Sequence, residues 1–438
     1  MTVAIKKFKL DGQEITLSEE QAIAFNLIFS IFLEARKEAL IQGSPGTGKS
    51  FISALALLEV KNTLGAFALQ NTACVAPSHK AKGVMKGYLE SFGLDVDVYT
   101  VHSFLGKGVD IDESTGKQNF SKTSINAPIE NYSYVWCDEF SMIGSELAKE
   151  LIAKAGYIFF TGDIRQLPPI NEDSFPVWDW FTKNRPESSV ATLENPERYS
   201  GSIKEFVYDA LEYVDDEKLI VPELIANPDE QLVIAKDWFE HWKETDYHND
   251  NSVILAYTNS SVDQLNELCR EHVLGEASIP LQVGEKVIAY ESLKDESGDV
   301  VANNGSVLTI SKITPSPLEI DDHCFAANRY HFKGCLYPVI AVEQSELKAW
   351  DKFLRHLASK AKRKEIKWGY YYKCKGMSNL FKPLYALTIH KSQGSGWNDV
   401  FFLNDFKWLK DGFIQPRLHY VAASRAKKRL FIARGMPK

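Results

Sequence analysis

The stretch ALIQGSPGTGKS, Ala39 to Ser50, has two parts, and a third follows it. Ala39-Leu40-Ile41 is a short apolar strand. Gly43 to Ser50 is a loop of the form GxxxxGK[ST]. Phe51, Ile52, Leu55, Leu57 and Leu58 then supply the apolar pattern of a helix. Strand, glycine loop and helix in this order aim backbone N–H groups at an anion from a helix N-terminus. Gly43, Ser44, Pro45, Gly46, Thr47, Gly48, Lys49 and Ser50 are therefore the candidate cradle for a triphosphate. Lys49 would reach the β- and γ-phosphates and Ser50 would hold Mg²⁺, so ATP and Mg²⁺ are the expected cofactors.

A phosphate loop does not by itself separate a kinase from a motor. Tyr134-Val135-Trp136-Cys137 is a second apolar strand, and it ends in Asp138-Glu139. Asp138 would orient the Mg²⁺ shell through water, and Glu139 would polarise an attacking water, which favours hydrolysis over transfer to a small molecule. A third strand, Tyr157 to Phe160, runs into TGDIRQLPP, Thr161 to Pro169. A polar loop at the C-terminal end of such a strand lies where open α/β sheets bind ligands, and Gln166 is a candidate γ-phosphate sensor there.

The rest of the composition bounds the class. The chain has 438 residues, enough for two to four domains, with 45% apolar and 25% charged residues, as in soluble globular proteins. No apolar run reaches the length of a membrane span, and the lysine-bearing N-terminus lacks the apolar core of a signal peptide. The six cysteines form no CxxC pair, so reduced thiols in a cytoplasm, that of a host cell for a phage protein, and no zinc site are expected. The net charge of −8 does not suggest nucleic acid, but binding needs only a local basic groove.

Taken in order, GSPGTGKS, VAPSHKA, TVHSFLG, WCDEFSM, GDIRQLPPI, LENPER, ILAYTNSSVDQLN, NNGSV, YALTIHKSQGSGWNDVFF and YVAASRAKKRLFI resemble superfamily one helicases of the RecD/Dda branch. The likeness runs from about residue 18 to 433. It implies an α/β fold of two RecA-like P-loop NTPase domains, with an inserted β-hairpin and an SH3-like β-barrel insertion. The boundaries expected are 1–99 with 132–190 for the first domain and 100–131 for the hairpin. They are 191–275 with 385–438 for the second domain and 276–384 for the barrel with a helical arm. It also implies an ATP-dependent helicase moving 5′ to 3′ on single-stranded DNA, in phage replication or recombination.

The resemblance assigns further residues. Arg198 and Arg425 match the family's two γ-phosphate arginines, which a second domain brings to the cleft. The alanine and serine before Arg425 stand where the family often has threonine. Gln21 matches an adenine-reading glutamine, although Ser18-x-x-Gln21 is equally a capping box, and one side chain is not expected to do both. Pro77 and His79, Thr100 and His102, and Thr388, His390 and Lys391 occupy the loops that touch the strand backbone. GVDIDESTGKQNFSK, Gly108 to Lys122, reads as a hairpin. In this branch such a hairpin splits the duplex, with Phe120 the candidate for stacking at the fork.

Leu347, Trp350, Phe353, Leu354, Leu357 and Ala361 recur at helical spacing, and a basic, aromatic stretch follows through Lys375. Lysines for phosphates and rings for bases suit a single strand, with Trp368 and Tyr372 the candidate rings. A solvated helix end above a tyrosine-rich strand is the other reading. Expected partners are single-stranded and forked DNA and single-strand-binding or replication proteins, with a monomer as the working form. The rivals are a RecD-like subunit of a helicase–nuclease, an RNA motor and an ATP-switched clamp.

Overall fold

Apolar runs that end in glycine or polar loops build two parallel sheets. The computed structural model describes residues 7–10, 13–111, 115, 118–122, 126–169, 172–195, 200–245, 251–275 and 280–437. It divides into two units: Met1–Gly106 with Ser124–Ser261 and Leu387–Lys438, and Lys107–Thr123 with Val262–Ala386.

The first unit holds both parallel sheets. Among the described residues the N-terminal sheet has six strands: β1 (Glu38–Gly43), β2 (Thr72–Ala76), β3 (Asp97–Thr100), β4 (Tyr134–Cys137), β5 (Tyr157–Gly162) and β6 (Val190–Leu193). Their order is β6-β1-β5-β4-β2-β3, every pair parallel. Successive side chains leave opposite faces, so both faces must be covered. Ala39, Ile41, Cys74, Trp136 and Phe159 pack in one core with helices α1 (Glu19–Phe32), α2 (Lys49–Leu64) and α3 (His79–Ser91). Leu40, Ala73, Val75, Val135 and Phe160 pack in the other. Val190 lies opposite Leu40 and Leu193 opposite Gly43, so this sheet runs three residues past the boundary expected at residue 190.

The second sheet contains β7 (Leu232–Ala235), β8 (Ser252–Ala256), β9 (Ala386–Thr388), β10 (Trp397–Leu403) and β11 (Ala426–Ala433), in the order β7-β11-β10-β8-β9. Its short helix α4 (Ile389–Ser392) follows β9, and α5 (Ile414–Ala423) follows β10.

In the second unit, Lys107–Ile111 pairs antiparallel with Gln118–Lys122, which puts Val109 opposite Phe120. The side chain of Phe120 lies outside the described part. A five-stranded antiparallel sheet runs in the order Val339–Val342, Ala327–Phe332, Val307–Pro315, Lys286–Ala289 and Phe381–Pro383. It closes over Val287, Ile310, Tyr330, Phe332 and Phe381. Arg270 and Glu285 form a buried ion pair at 2.9 Å beside it. Breaking only one side of such a pair is costly, because the other charge stays buried. The helix Leu347–Lys362 buries Trp350, Phe353 and Leu357 against Leu318, Ile320 and Phe325. The tyrosine-rich stretch that follows is a second helix, Trp368–Lys375, rather than a strand.

Candidate active site

The phosphate loop owes its shape to its glycines. Gly46 and Gly48 have φ of +90° and +92°, in the left-handed region that side chains rarely adopt. A Cβ on Gly43 would come within 2.6 Å of the Leu193 carbonyl. The turn is pinned internally, since the Thr47 hydroxyl donates to the Ser44 carbonyl at 2.9 Å. Lys49 Nζ donates to the carbonyls of Gly43 (2.5 Å) and Ser44 (3.0 Å), which holds its charge over the loop.

Pro45, Gly46, Gly48, Lys49 and Ser50 line a recess of about 480 Å³ with Asp138, Glu139, Gln166, Gly394 and Arg425. Asp138 accepts from the Thr161 hydroxyl at 2.6 Å and from the Glu139 N–H at 2.9 Å. Thr161 is itself oriented by the Trp136 indole N–H at 2.8 Å. Burial raises the Asp138 pKa, against the pull of these donors and of Lys49. Glu139 has φ +51°, a strained position for a side-chain-bearing residue. Burial, then Asp138, push its pKa up to about 7, and Lys49 and Arg425 oppose them. Its Oε2 is buried and meets no hydrogen-bond partner among the described residues. A glycine-rich loop, a lysine, a hydroxyl and two carboxylates, one with a buried and unmet oxygen, form a donor set that fits a triphosphate and a hard divalent cation.

The second sheet supplies the other wall. Arg425 is buried, and its guanidinium donates to the carbonyls of Val421 (3.0 Å) and Ser395 (3.2 Å) and to the Ser424 hydroxyl (2.8 Å). Three contacts that the sequence reading did not assign tie the sheets together around it. The Tyr420 hydroxyl donates to Asp163 at 2.6 Å. Gln393 donates to Gln166 at 3.4 Å, and Lys80 Nζ donates to the Lys391 carbonyl at 2.9 Å. Burial, then Arg425 and Lys391, push the Lys80 pKa down to about 8. Asp163 lies within the GDIRQ loop already singled out. Tyr420 looks in sequence like any buried aromatic of a helix. Arg198 lies outside the described residues.

Gln21 caps its helix, one of the two roles expected of it. Its Oε1 accepts from the Ser18 N–H at 3.1 Å and its own N–H donates to the Ser18 hydroxyl at 3.2 Å, a complete capping box. Its Nε2 meanwhile lies 3.3 Å from where a Cβ on Gly48 would sit. The amide thus has its oxygen in the cap and its nitrogen close to the phosphate loop. Ser18, Gln21, Thr47 and Asn195 line a second recess, of about 280 Å³, on that side of the loop.

The candidate strand-contacting loops lie at the C-terminal ends of neighbouring strands. Pro77 and the exposed His79 follow β2. Thr100 is buried, and its hydroxyl accepts from the Ser103 N–H as an N-cap. Thr388 is buried and caps the Lys391 N–H in the same way. The two threonine hydroxyls are engaged in shaping their loops, which leaves His102 and the exposed His390 nearer the surface. Partial desolvation by the surrounding protein lowers the pKa of His79 and of His390, with Lys82 adding to it at His79, so both imidazoles lean towards neutral. In the second unit, Tyr372 is half-buried. Trp368 is 6% exposed and packs on Tyr371 at 5.4 Å. The expectation that Trp368 offers a face to a base is corrected: its ring is part of the core beneath the helix.

Two family models match the chain: an AAA domain over residues 31–172 and a UvrD-like helicase C-terminal domain over residues 383–433. The ATP-dependent DNA helicase dda of Enterobacteria phage T4 is 23% identical over 449 residues, covering 95% of this chain and 98% of that protein. Pif1 helicase from Bacteroides, solved with ADP-AlF3 and ssDNA, shares 16% identity, with 97% and 94% of the two chains covered and a TM-score of 0.53. A structure of two coordinating Pif1 helicases at forked dsDNA shares 14% identity, with 97% and 93% covered and a TM-score of 0.52. The shared fold is a mixed α/β architecture with parallel-sheet cores.

Proposed function

We propose that this protein, a Dda/Pif1-like superfamily one helicase, hydrolyses ATP to move along single-stranded DNA and to unwind duplex ahead of it. The observation that carries the reading is the recess in which Lys49, Asp138 and Glu139 of one sheet face Gly394 and Arg425 of the other. Chemistry that needs both walls can couple turnover to the opening and closing of the gap between them.

In this reading Lys49 and the N–H groups of Gly46 to Ser50 hold the β- and γ-phosphates. Ser50 and Asp138 would hold Mg²⁺, the latter through water, and the bound ion would neutralise charge between the two phosphates. Glu139, with a pKa pushed up to about 7, takes the proton of the attacking water near the pH at which a base is most effective. Gln166 and Arg425 steady the γ-phosphate, and Arg198 is assigned the same task. In doing so Arg425 would give up bonds to the Val421 and Ser395 carbonyls and the Ser424 hydroxyl. Gln21, with Oε1 held in its cap, is left a donor at Nε2, which matches the acceptor N7 of adenine.

We assign the loops of Pro77 and His79, Thr100 and His102, and Thr388, His390 and Lys391 to the phosphates of the strand, where contacts position without reading sequence. The hairpin Lys107–Lys122 is assigned to strand separation. The antiparallel sheet of the second unit is read as an SH3-like barrel with a helical arm, and Tyr372 as a contact of that arm. The 5′ to 3′ direction rests on likeness to the RecD/Dda branch. Whole-length similarity to a DNA helicase disfavours the partner-dependent, RNA and clamp alternatives.

Strand displacement by the purified protein, on duplexes with either a 5′ or a 3′ single-stranded tail, tests the reading. Unwinding from the 5′ tail alone is expected. Unwinding from the 3′ tail alone keeps the motor and reverses its direction. Failure on both tails removes the reading. Phe120→Ala is expected to impair unwinding several-fold more than single-strand-stimulated ATPase; equal losses would take Phe120 away from the fork.

A further inference from the structure

Trp408 is 63% exposed, yet its indole is hydrogen-bonded. It lies in the loop after β10, where Phe406 is fully buried as an anchor and the Trp408 indole N–H donates to the Asp405 carbonyl at 3.1 Å. The Asp405 carboxylate in turn accepts from the Tyr257 N–H (2.7 Å), the Thr258 N–H (3.0 Å) and the Thr258 hydroxyl (2.9 Å). One buried ring and one carboxylate thus tie the loop after β10 to the loop after β8. A single exposed aromatic is ordinary on a protein surface. A tryptophan whose indole is hydrogen-bonded to a loop that a carboxylate pins, at the ligand-binding edge of a parallel sheet, is not.

Three rings stand in a row along that edge. Trp408 follows β10, Tyr257 follows β8 and His390 follows β9, in the order in which the strands neighbour one another. The Trp408 and Tyr257 centroids are 6.3 Å apart, and those of Tyr257 and His390 are 5.9 Å apart. Lys410 and Lys407, both exposed, the latter 4.0 Å from Glu223, flank the tryptophan. Flat rings beside exposed ammonium groups match a polyanion that carries flat bases, which is single-stranded nucleic acid.

We propose that Trp408, backed by Tyr257, is a base-stacking platform for the single strand on the second sheet, continuous with the backbone-contacting loop of His390. The proposal rests on the helicase reading and adds to it a base contact outside the motif loops. Stacking on the platform is indifferent to sequence, since every base has a face to offer.

The test is the affinity of the full chain for a short labelled oligothymidylate, read by fluorescence anisotropy, with and without an abasic site in each position of the strand. Trp408→Ala is expected to weaken binding by roughly 5- to 150-fold, and Trp408→Phe to keep most of the affinity. Abasic placement at one position should weaken the wild type, while Trp408→Ala loses nothing more on that strand. Wild-type affinity in Trp408→Ala overturns the platform and leaves the helicase standing. A loss of equal size on every abasic strand also overturns it, because the tryptophan then acts through the loop or a charge and not through a base. A wild-type chain that binds no single strand removes the platform and the helicase reading together. If the alanine variant does not fold, the phenylalanine variant and the abasic series on the wild type decide the matter.

Discussion

At the end of β3 the chain reads Thr100-Val101-His102-Ser103, and at the end of β9 it reads Thr388-Ile389-His390-Lys391. Each threonine caps the N–H three residues on, at 3.3 Å. Each following β-branched residue is buried, and each histidine comes next. The same local physics has been used twice, once on each sheet. Ser103 donates its hydroxyl to the Thr100 carbonyl and accepts from the Thr100 N–H, so the first loop is closed on itself. In the second loop the Lys391 carbonyl accepts from Lys80, on the helix after β2. The two sheets share a scaffold and divide the chemistry: the first holds the phosphate loop and carboxylates, and the second holds Arg425, Tyr420 and Gly394.

If that division is right, removing one sheet's contribution should leave the other's intact. The largest effect is expected from Arg425→Ala. It should cut ATP turnover by roughly 10³- to 10⁵-fold while nucleotide binding at the first sheet persists, as read by equilibrium binding of a fluorescent ATP analogue. Lost binding would mean that the second sheet builds the site and does not merely complete it. Next is Glu139→Gln, with a turnover loss of about 10²- to 10⁴-fold and ATP retained on the protein. Near-normal turnover would take the proton-accepting role away from Glu139.

Tyr420→Phe tests the tie between the sheets. It removes the donor that Asp163 receives at 2.6 Å and leaves the ring in place. A hydrogen bond to a charged partner is worth enough for an expected loss of about 10-fold in DNA-stimulated turnover, with nucleotide affinity unchanged. Unchanged stimulation would make the contact a feature of packing alone.

The nucleotide side of the site was legible in the sequence because its signals are local. Gly46, Gly48, Lys49 and Ser50 lie within five residues of one another, and Asp138 and Glu139 are adjacent at a strand end. The ties between sheets were not legible. Asp163 and Tyr420 are 257 residues apart, and nothing about a tyrosine in a helix names its acceptor. Trp368 shows the opposite failure. A run of rings and lysines has the composition of a strand-binding surface, but only the folded helix decides which ring turns inward. Trp408 is not legible either, because a lone tryptophan between motifs has no spacing to reveal it.

Glu139 also makes a prediction about stability. Its folded pKa of about 7 lies above the ordinary carboxylate value near 4.5. The stability this supplies is therefore fully present below about pH 4.5 and is lost as pH rises through about 7. Glutamine carries no such dependence. The melting temperature of Glu139→Gln should exceed that of the wild type by an amount that grows across this window, to about 5 °C. Asp138 lies beside Glu139 and raises its pKa, so the difference reports the loss of this carboxylate together with its effect on Asp138. A flat difference would mean that the carboxylate is solvated or paired when nothing is bound.

The smallest expected effect returns to the two loops. Thr100→Ala and Thr388→Ala each remove a hydroxyl that caps a backbone N–H, and each should cost about 1 kcal/mol of stability in a denaturant melt. Because the caps are 3.3 Å in both places and both threonines are buried, the two losses should match. Their effects on function should not. The Thr100 loop keeps a second internal tie, since the Ser103 hydroxyl donates to the Thr100 carbonyl at 3.0 Å. The Thr388 loop ends at the Lys391 carbonyl that receives Lys80 from the other sheet. Loosening Thr388 should therefore disturb DNA-stimulated turnover more than loosening Thr100 at equal cost in stability. Equal functional losses would mean that the two loops are alike in role as well as in build, and that the Lys80 contact with the Thr388 loop does not carry the coupling between the sheets.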